Sequence, residues 1–230
     1  TMYCGEDLRV LDFGSQFTSQ NFERRMTLEN RGRRTQTLRW INQSYKDAQL
    51  TRMMKVKRLQ KEGKKPSARD AEEPPPVFSV HPEEIELRPR TAITFTFQGY
   101  STKMGALKEL LLCEAKVGKE KGHRIIFRTE IGATFINPLL RPSAADFEFS
   151  YTYEPEVMIQ TQEQDLTLTN VTELPLDFVL RCQPPFSVSG MEYSLAPGED
   201  AQLRLEFDPG YRGGRMGNTL TQLAAEANFA

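Results

Sequence analysis

The chain writes one pattern twice. From Met26 to Trp40 it reads MTLENRGRRTQTLRW, and from Leu166 to Leu180 it reads LTLTNVTELPLDFVL. Each copy has Thr-Leu-x-Asn, then a short polar or turn-like stretch, then alternating apolar residues, and the two lie 140 positions apart. An internal repeat of this kind decides the architecture before any other feature does. A second set of matches follows at an offset of 108. Phe78-Ser79-Val80 matches Phe186-Ser187-Val188, Leu87 and Pro89 match Leu195 and Pro197, and Ile93, Phe95 and Phe97 match Ala201, Leu203 and Leu205. The 32-residue difference is an insertion between Trp40 and Phe78; the second copy spans the same gap, Leu180 to Phe186, in six residues.

The matched segments alternate with period two. Leu203, Leu205 and Phe207 face one way, and Gln202, Arg204 and Glu206 face the other. Phe147, Phe149, Tyr151 and Tyr153 alternate with polar residues, as do Ile125, Phe127, Thr129 and Ile131. Such alternation predicts strands with one face buried and one wet. Pro197-Gly198 predicts a type II turn, and Pro89-Arg90 at the matching place a turn of another type. Gly118 to Gly122 predicts a hairpin tip. Many short strands with frequent turns indicate an antiparallel sandwich. A length of 230 residues suits two such units.

The expected organisation is a first sandwich over 1–138 carrying a basic insertion at about 42–75, a linker at 139–146 (LLRPSAAD), and a second sandwich over 147–230. The second copy reads as incomplete at its C-terminus. The first continues with two long strands, about 107–117 and 124–135, whereas no clear alternation follows Phe207. That predicts an exposed strand edge open to pairing with another chain. The stretch 219–230 reads equally as a short helix, being rich in Ala, Leu, Gln and Glu.

Little in the sequence suggests reactive chemistry. The three cysteines, Cys4, Cys113 and Cys182, have neither disulfide-framework nor zinc-knuckle spacing, and free thiols suit a reducing compartment. His81 and His123 lie near no candidate nucleophile, and no glycine-rich loop opens a helix. The expectation is no catalytic, cofactor or metal site and no small-molecule substrate. Two sequons, at Asn42 and Asn170, read as turn chemistry rather than glycan acceptors. No signal peptide is seen, and no apolar run is long enough to span a bilayer. A net charge of −1 gives no global attraction to nucleic acid or membrane.

The insertion is different. KDAQLTRMMKVKRLQKEGKKPSARDAEE, residues 46–73, has nine Lys or Arg against Asp47 and Glu62 before the acidic cluster Asp70, Glu72 and Glu73; Pro74 to Pro76 then lead back into the sandwich. A helix is predicted from an N-cap at Asp47 through Arg58, stopping at Gly63 with Pro66 beyond. Leu50, Met53 and Met54 cluster on it, while Val56 and Leu59 fall elsewhere. One reading is a solvated loop without a partner. The functional reading is a contact for an acidic surface through Arg52, Lys55, Lys57, Arg58, Lys61, Lys64 and Lys65. Basic amphipathic segments also serve as calmodulin targets. Nucleic acid is disfavoured, since no aromatic residues interleave with the charges.

Taken together, LRVLDFGSQ, LTLTNVTELPLDFVL, PPFSV, LAPGEDAQLRLEFDPGY and the stretch Gly132 to Pro138 resemble the ASH domains, a branch of the PapD-like or major-sperm-protein-like sandwiches. The resemblance covers most of the chain outside the insertion and the last dozen residues. It implies an all-β fold of two tandem immunoglobulin-like antiparallel β-sandwiches. It also implies a structural role in the central apparatus of the axoneme, within the cytoplasm and cytoskeleton of motile cilia. Other axonemal proteins are the implied partners, with the acidic tails of tubulin in microtubules a candidate for the basic insertion. The family offers no catalytic residues to carry over. An adaptor that captures peptides on a strand edge or sheet face is the alternative.

Overall fold

The computed structural model describes residues 2–63, 65, 75–118 and 122–212. The chain divides into two compact units, Thr1–Asn137 and Pro138–Ala230. Unit 1 holds β1 (Met2–Cys4), β2 (Val10–Phe17), β3 (Phe22–Asn30), β4 (Gln36–Asn42), α1 (Gln43–Lys61), β5 (Phe78–His81), β6 (Glu84–Leu87), β7 (Ala92–Gly99), β8 (Gly105–Val117) and β9 (Arg124–Ile136). Unit 2 holds β10 (Leu140–Pro142), β11 (Gln162–Asn170), β12 (Leu176–Val179), β13 (Phe186–Val188), β14 (Glu192–Leu195) and β15 (Asp200–Phe207).

Unit 1 is an immunoglobulin-like sandwich. One sheet has the order β1-β3-β7-β5 and the other β2-β9-β8-β4-β6. Alternation puts Met26 and Leu28 of β3, Phe78 and Val80 of β5, and Phe95 and Phe97 of β7 on the inner face of the first sheet. Leu38 and Trp40 of β4, Leu111 and Cys113 of β8, and Ile131 and Phe135 of β9 line the second. Trp40 meets Phe95 and Phe97 edge-on across the interior, with ring centroids 5.9 and 5.1 Å apart. Each such side chain contributes roughly 1.5–3 kcal/mol on burial. The pairing is antiparallel except that β2 runs parallel to β9. A wholly antiparallel sandwich was the expectation; the exception arises because the N-terminal segment pairs first with β3 through β1 and then crosses to the other sheet as β2.

Unit 2 repeats one sheet of this plan in full and part of the other. Its sheet β10-β11-β15-β13 has the order of β1-β3-β7-β5, and β12 pairs with β14 as β4 pairs with β6. Its core is smaller: Leu168, Leu195, Ala201 and Leu203 with partly buried neighbours such as Leu166 and Phe178. Counterparts of β8 and β9 do not occur among the described residues. Residues 213–230 lie outside them, and with them the helix expected over 219–230.

Three expectations about local structure are corrected. The segment from Phe147 to Tyr153 is not a strand. Phe149 packs on Phe186 and Phe207, while Tyr151 and Tyr153 of the same phase are exposed. The equivalent segment of unit 1 is β2, whose backbone partner is β9, and no such partner is described in unit 2. Side chains bridge it instead, Gln162 and Gln164 donating to the carbonyls of Ser150 and Glu148. The residues read as linker, 139–146, include β10, which pairs with β11 from Leu140 to Pro142. The Pro89-Arg90 turn, expected to be of another type, shares the positive φ of Pro197-Gly198: Arg90 has φ 58° and Gly198 φ 77°.

One residue pair explains why the repeat is so regular. Asn30 and Asn170 are both fully buried. The Asn30 amide nitrogen donates to the carbonyls of Arg34 (2.9 Å) and Leu87 (3.0 Å), and its oxygen accepts from the Gly32 N–H (3.0 Å). Asn170 donates to Leu174 (2.9 Å) and Leu195 (3.0 Å) and accepts from the Thr172 N–H (3.0 Å). The backbone joins in: the Arg90 N–H donates to the Asn30 carbonyl and the Gly198 N–H to that of Asn170. Each asparagine thus ties the end of one strand to two turns. The sequon at Asn170 is this clamp, its amide nitrogen buried and occupied.

Candidate functional site

The insertion folds as α1, a 19-residue helix with no buried residue. It starts earlier than the sequence suggests. The N-cap is Asn42 rather than Asp47, and the Asn42 side-chain oxygen accepts the Tyr45 N–H at 3.0 Å. At the other end the N–H of Glu62 donates to the Arg58 carbonyl. Gly63 follows at φ 71°, the left-handed position that glycine takes freely after a helix.

Asn42 is also the last residue of β4, so helix and strand share a residue. Its amide nitrogen donates to the Phe78 carbonyl (3.0 Å) and to Glu109 (2.7 Å). Glu109 accepts the Phe78 N–H (3.0 Å), and Ser44 Oγ accepts the Leu110 N–H (2.8 Å). The first turn is therefore fastened to β5 and β8. No local signal marks this anchor, because Glu109 lies 67 positions from Asn42.

Helical spacing sorts the side chains into two faces. Tyr45, Gln49, Arg52, Val56 and Leu59 are half-buried, at alternating spacings of four and three. Lys46, Leu50, Met53, Met54, Lys57 and Lys61 lie on the other face and are exposed. Met54 is 69% exposed. Lys55 and Arg58 are exposed on the flanks, with Arg58 3.7 Å from Glu62. Of the expected contact residues, Lys55, Lys57, Arg58 and Lys61 are exposed, and so is Lys65 just past the cap. Arg52 lies on the half-buried face. Lys64 lies outside the described residues, as do Pro66, the acidic cluster Asp70, Glu72 and Glu73, and the tip of the hairpin expected between Gly118 and Gly122.

The thiols are free. Burial, with Glu114 adding to it, pushes the Cys113 thiol up to about 12, which removes it as a nucleophile near neutrality. Burial also raises the Cys182 thiol. Among the described residues no group of three His, Cys, Asp or Glu is placed to hold a metal ion. No described helix is long and apolar enough to cross a membrane.

No family model matches the chain. Over 96% of its length it is 30% identical to the human protein named hydrocephalus-inducing protein homolog, and over 88% it is 31% identical to mouse hydrocephalus-inducing protein. The chain is similar to a segment of hydrocephalus-inducing protein. It spans about 4% of the length of either relative. Likeness to hydrocephalus-inducing protein runs through both sandwiches and is not confined to one motif. Solved structures with a related outline include the ASH/PapD-like domain 7 of human CEP192, at TM-score 0.42 and 12% identity over 59% of this chain and 85% of that one. The periplasmic chaperone SfaE matches at TM-score 0.33 and 9% identity, over 88% and 87%. Likenesses this weak carry no functional reading.

Proposed function

We propose that the chain is a non-enzymatic structural module of a motile-cilium scaffold, acting in the axoneme and within it at the central apparatus. Its sandwiches space partner proteins, and α1 docks one of them. The observation that carries this reading is the likeness to hydrocephalus-inducing protein over 96% of the chain. The form of α1 supports it: a cationic helix fastened to a rigid body by Asn42, Glu109 and Ser44, with Lys57 and Lys61 on its open face. Such an element suits an acidic protein surface, and in an axoneme the acidic tails of tubulin fit that chemistry.

Co-sedimentation with microtubules tests the reading. The wild-type chain binds, and binding weakens as salt rises. Changing Lys55, Lys57, Arg58 and Lys61 together to Ala lowers affinity by about ten-fold or more, from four exposed charge contacts. Removing the tubulin tails has the same effect. Binding that survives all three treatments rejects α1 as the docking element.

A second reading, a peptide-capturing adaptor, is favoured by one observation. In unit 1 the edge of β4 away from β6 is covered by β8, whereas no described strand covers that edge of β12. Peptides that add a strand there would protect β12 amides from hydrogen exchange; unchanged exchange with added peptide rejects it.

A further inference from the structure

Five arginines stand on two neighbouring turns of unit 1. Arg31, Arg33 and Arg34 lie between β3 and β4, and Arg88 and Arg90 between β6 and β7; all five are exposed. The Asn30 clamp holds the turns together, one amide nitrogen reaching the carbonyls of both Arg34 and Leu87. Arg31 is engaged with Glu29 at 2.8 Å and lies 3.5 Å over the Tyr3 ring. Arg33, Arg88 and Arg90 have no carboxylate partner among the described residues.

Unit 2 serves as an internal control. It builds the same clamp around Asn170 with no arginine on either turn: Val171, Glu173 and Leu174 replace Arg31, Arg33 and Arg34, and Ala196 and Gly198 replace Arg88 and Arg90. The clamp does not require these side chains. At Arg90 the chain works against the backbone. Its φ of 58° is a conformation that costs a side-chain-bearing residue free energy and costs glycine none, and the matching position is Gly198. The clamp imposes this conformation in both copies and glycine meets it without strain, so an arginine standing there points to function.

We infer that this arginine-bearing end of unit 1 binds an acidic polypeptide segment, whose carboxylates are held by Arg33, Arg88 and Arg90. Guanidinium forks match carboxylates in a planar, two-pronged geometry that lysines do not offer. Nucleic acid fits less well. Tyr3, an aromatic ring at this end, is covered by Arg31, and the chain has a net charge of −1 rather than a broad positive field. The site is separate from α1. β4 has Gln36 at the arginine end and Asn42 at the helix end, a span of roughly 20 Å for a strand of this length.

The test uses the full chain with Lys55, Lys57, Arg58 and Lys61 changed to Ala, so that α1 contributes nothing. The probe is a fluorescein-labelled glutamate-rich peptide, followed by anisotropy. Binding is expected, with backbone amide shifts confined to residues 31–35 and 88–91. Arg90→Gly is expected to weaken it about three-fold while raising the melting temperature, because one exposed charge contact is lost and the strain is relieved. Arg33→Gln, Arg88→Gln and Arg90→Gln together weaken it by about ten-fold or more. Affinity unchanged in both variants, or shifts at other residues, overturns the site. A single-stranded oligonucleotide of equal charge that displaces the peptide at lower concentration overturns its assignment to acidic polypeptide.

Discussion

Replacing Asn30 with Ala removes four hydrogen bonds at once. The lost donations are to the Arg34 and Leu87 carbonyls, at 2.9 and 3.0 Å. The lost acceptances are from the Gly32 N–H at 3.0 Å and from Gln36 Nε2 at 3.2 Å. A typical intramolecular bond is worth about 1 kcal/mol net, and a buried group left unpaired costs about 1–3 kcal/mol. The Leu87 contact is buried and the Gln36 side chain beside it is nearly so, so water reaches them poorly. The expected loss is about 4 kcal/mol. The chain's single tryptophan, Trp40, sits in the core of unit 1 and reports that unit alone by fluorescence. With an m-value of about 2 kcal/mol/M in urea, the midpoint of the Trp40 transition should fall by about 2 M. Asn170→Ala should lower hydrogen-exchange protection in β11 and β15 by a comparable free energy, since its amide nitrogen also donates to carbonyls of both turns and its oxygen accepts the Thr172 N–H. A midpoint shift under about 0.5 M for Asn30→Ala would refute the clamp as the shared fastening of both copies.

Gly99→Ala should destabilise unit 1 by about 1–3 kcal/mol, read by the same transition, because a Cβ there collides with the Phe22 ring and pushes it off Phe13, Phe78 and Phe135. Glu109→Ala removes the acceptor shared by Phe78 N–H and the Asn42 amide; exchange at residues 43–47 should quicken, with a loss of about 2–3 kcal/mol. In native protein a thiol reagent should modify exposed Cys182 and reach buried Cys113 only after opening. The folded state holds the Cys113 proton more tightly than the unfolded state does, the thiol being pushed from 9.0 to about 12. That contribution to stability is complete below pH 9 and is lost as pH rises toward 12, so alkaline unfolding of Cys113→Ala should be less steep over that range.

Some of this was legible in the sequence because it is written in short-range pattern. The alternation of Ile93, Phe95 and Phe97, and of Ala201, Leu203 and Leu205, marks β7 and β15, and these strands bury those residues wholly or partly. The insertion announced a helix by composition and by Gly63. What escaped was set by partners far away in the chain. Asn42 rather than Asp47 caps α1 because Glu109 and Phe78 hold it. The half-buried stripe through Tyr45, Gln49 and Arg52 is largely polar, so a search for an apolar stripe passes over it. Phe147 to Tyr153 alternates like a strand in sequence, but no described strand stands beside it as β9 stands beside β2. Arg90 takes a glycine-like conformation because Asn30 accepts its N–H, a fact no local turn rule contains. The one signal underused was the asparagine itself. It stands at the same point of both copies, as Asn30 and Asn170, and complete burial with the amide nitrogen and oxygen both occupied is what repetition at that point records.

Because Asn42 ends β4 and caps α1 at once, no slack separates the two. A helix of 19 residues extends about 28 Å. Any rocking of the first sandwich is therefore passed directly to the helix through that one residue. A load applied to the helix returns through the same residue into the sheet, so strand and helix answer it together rather than as body and tether.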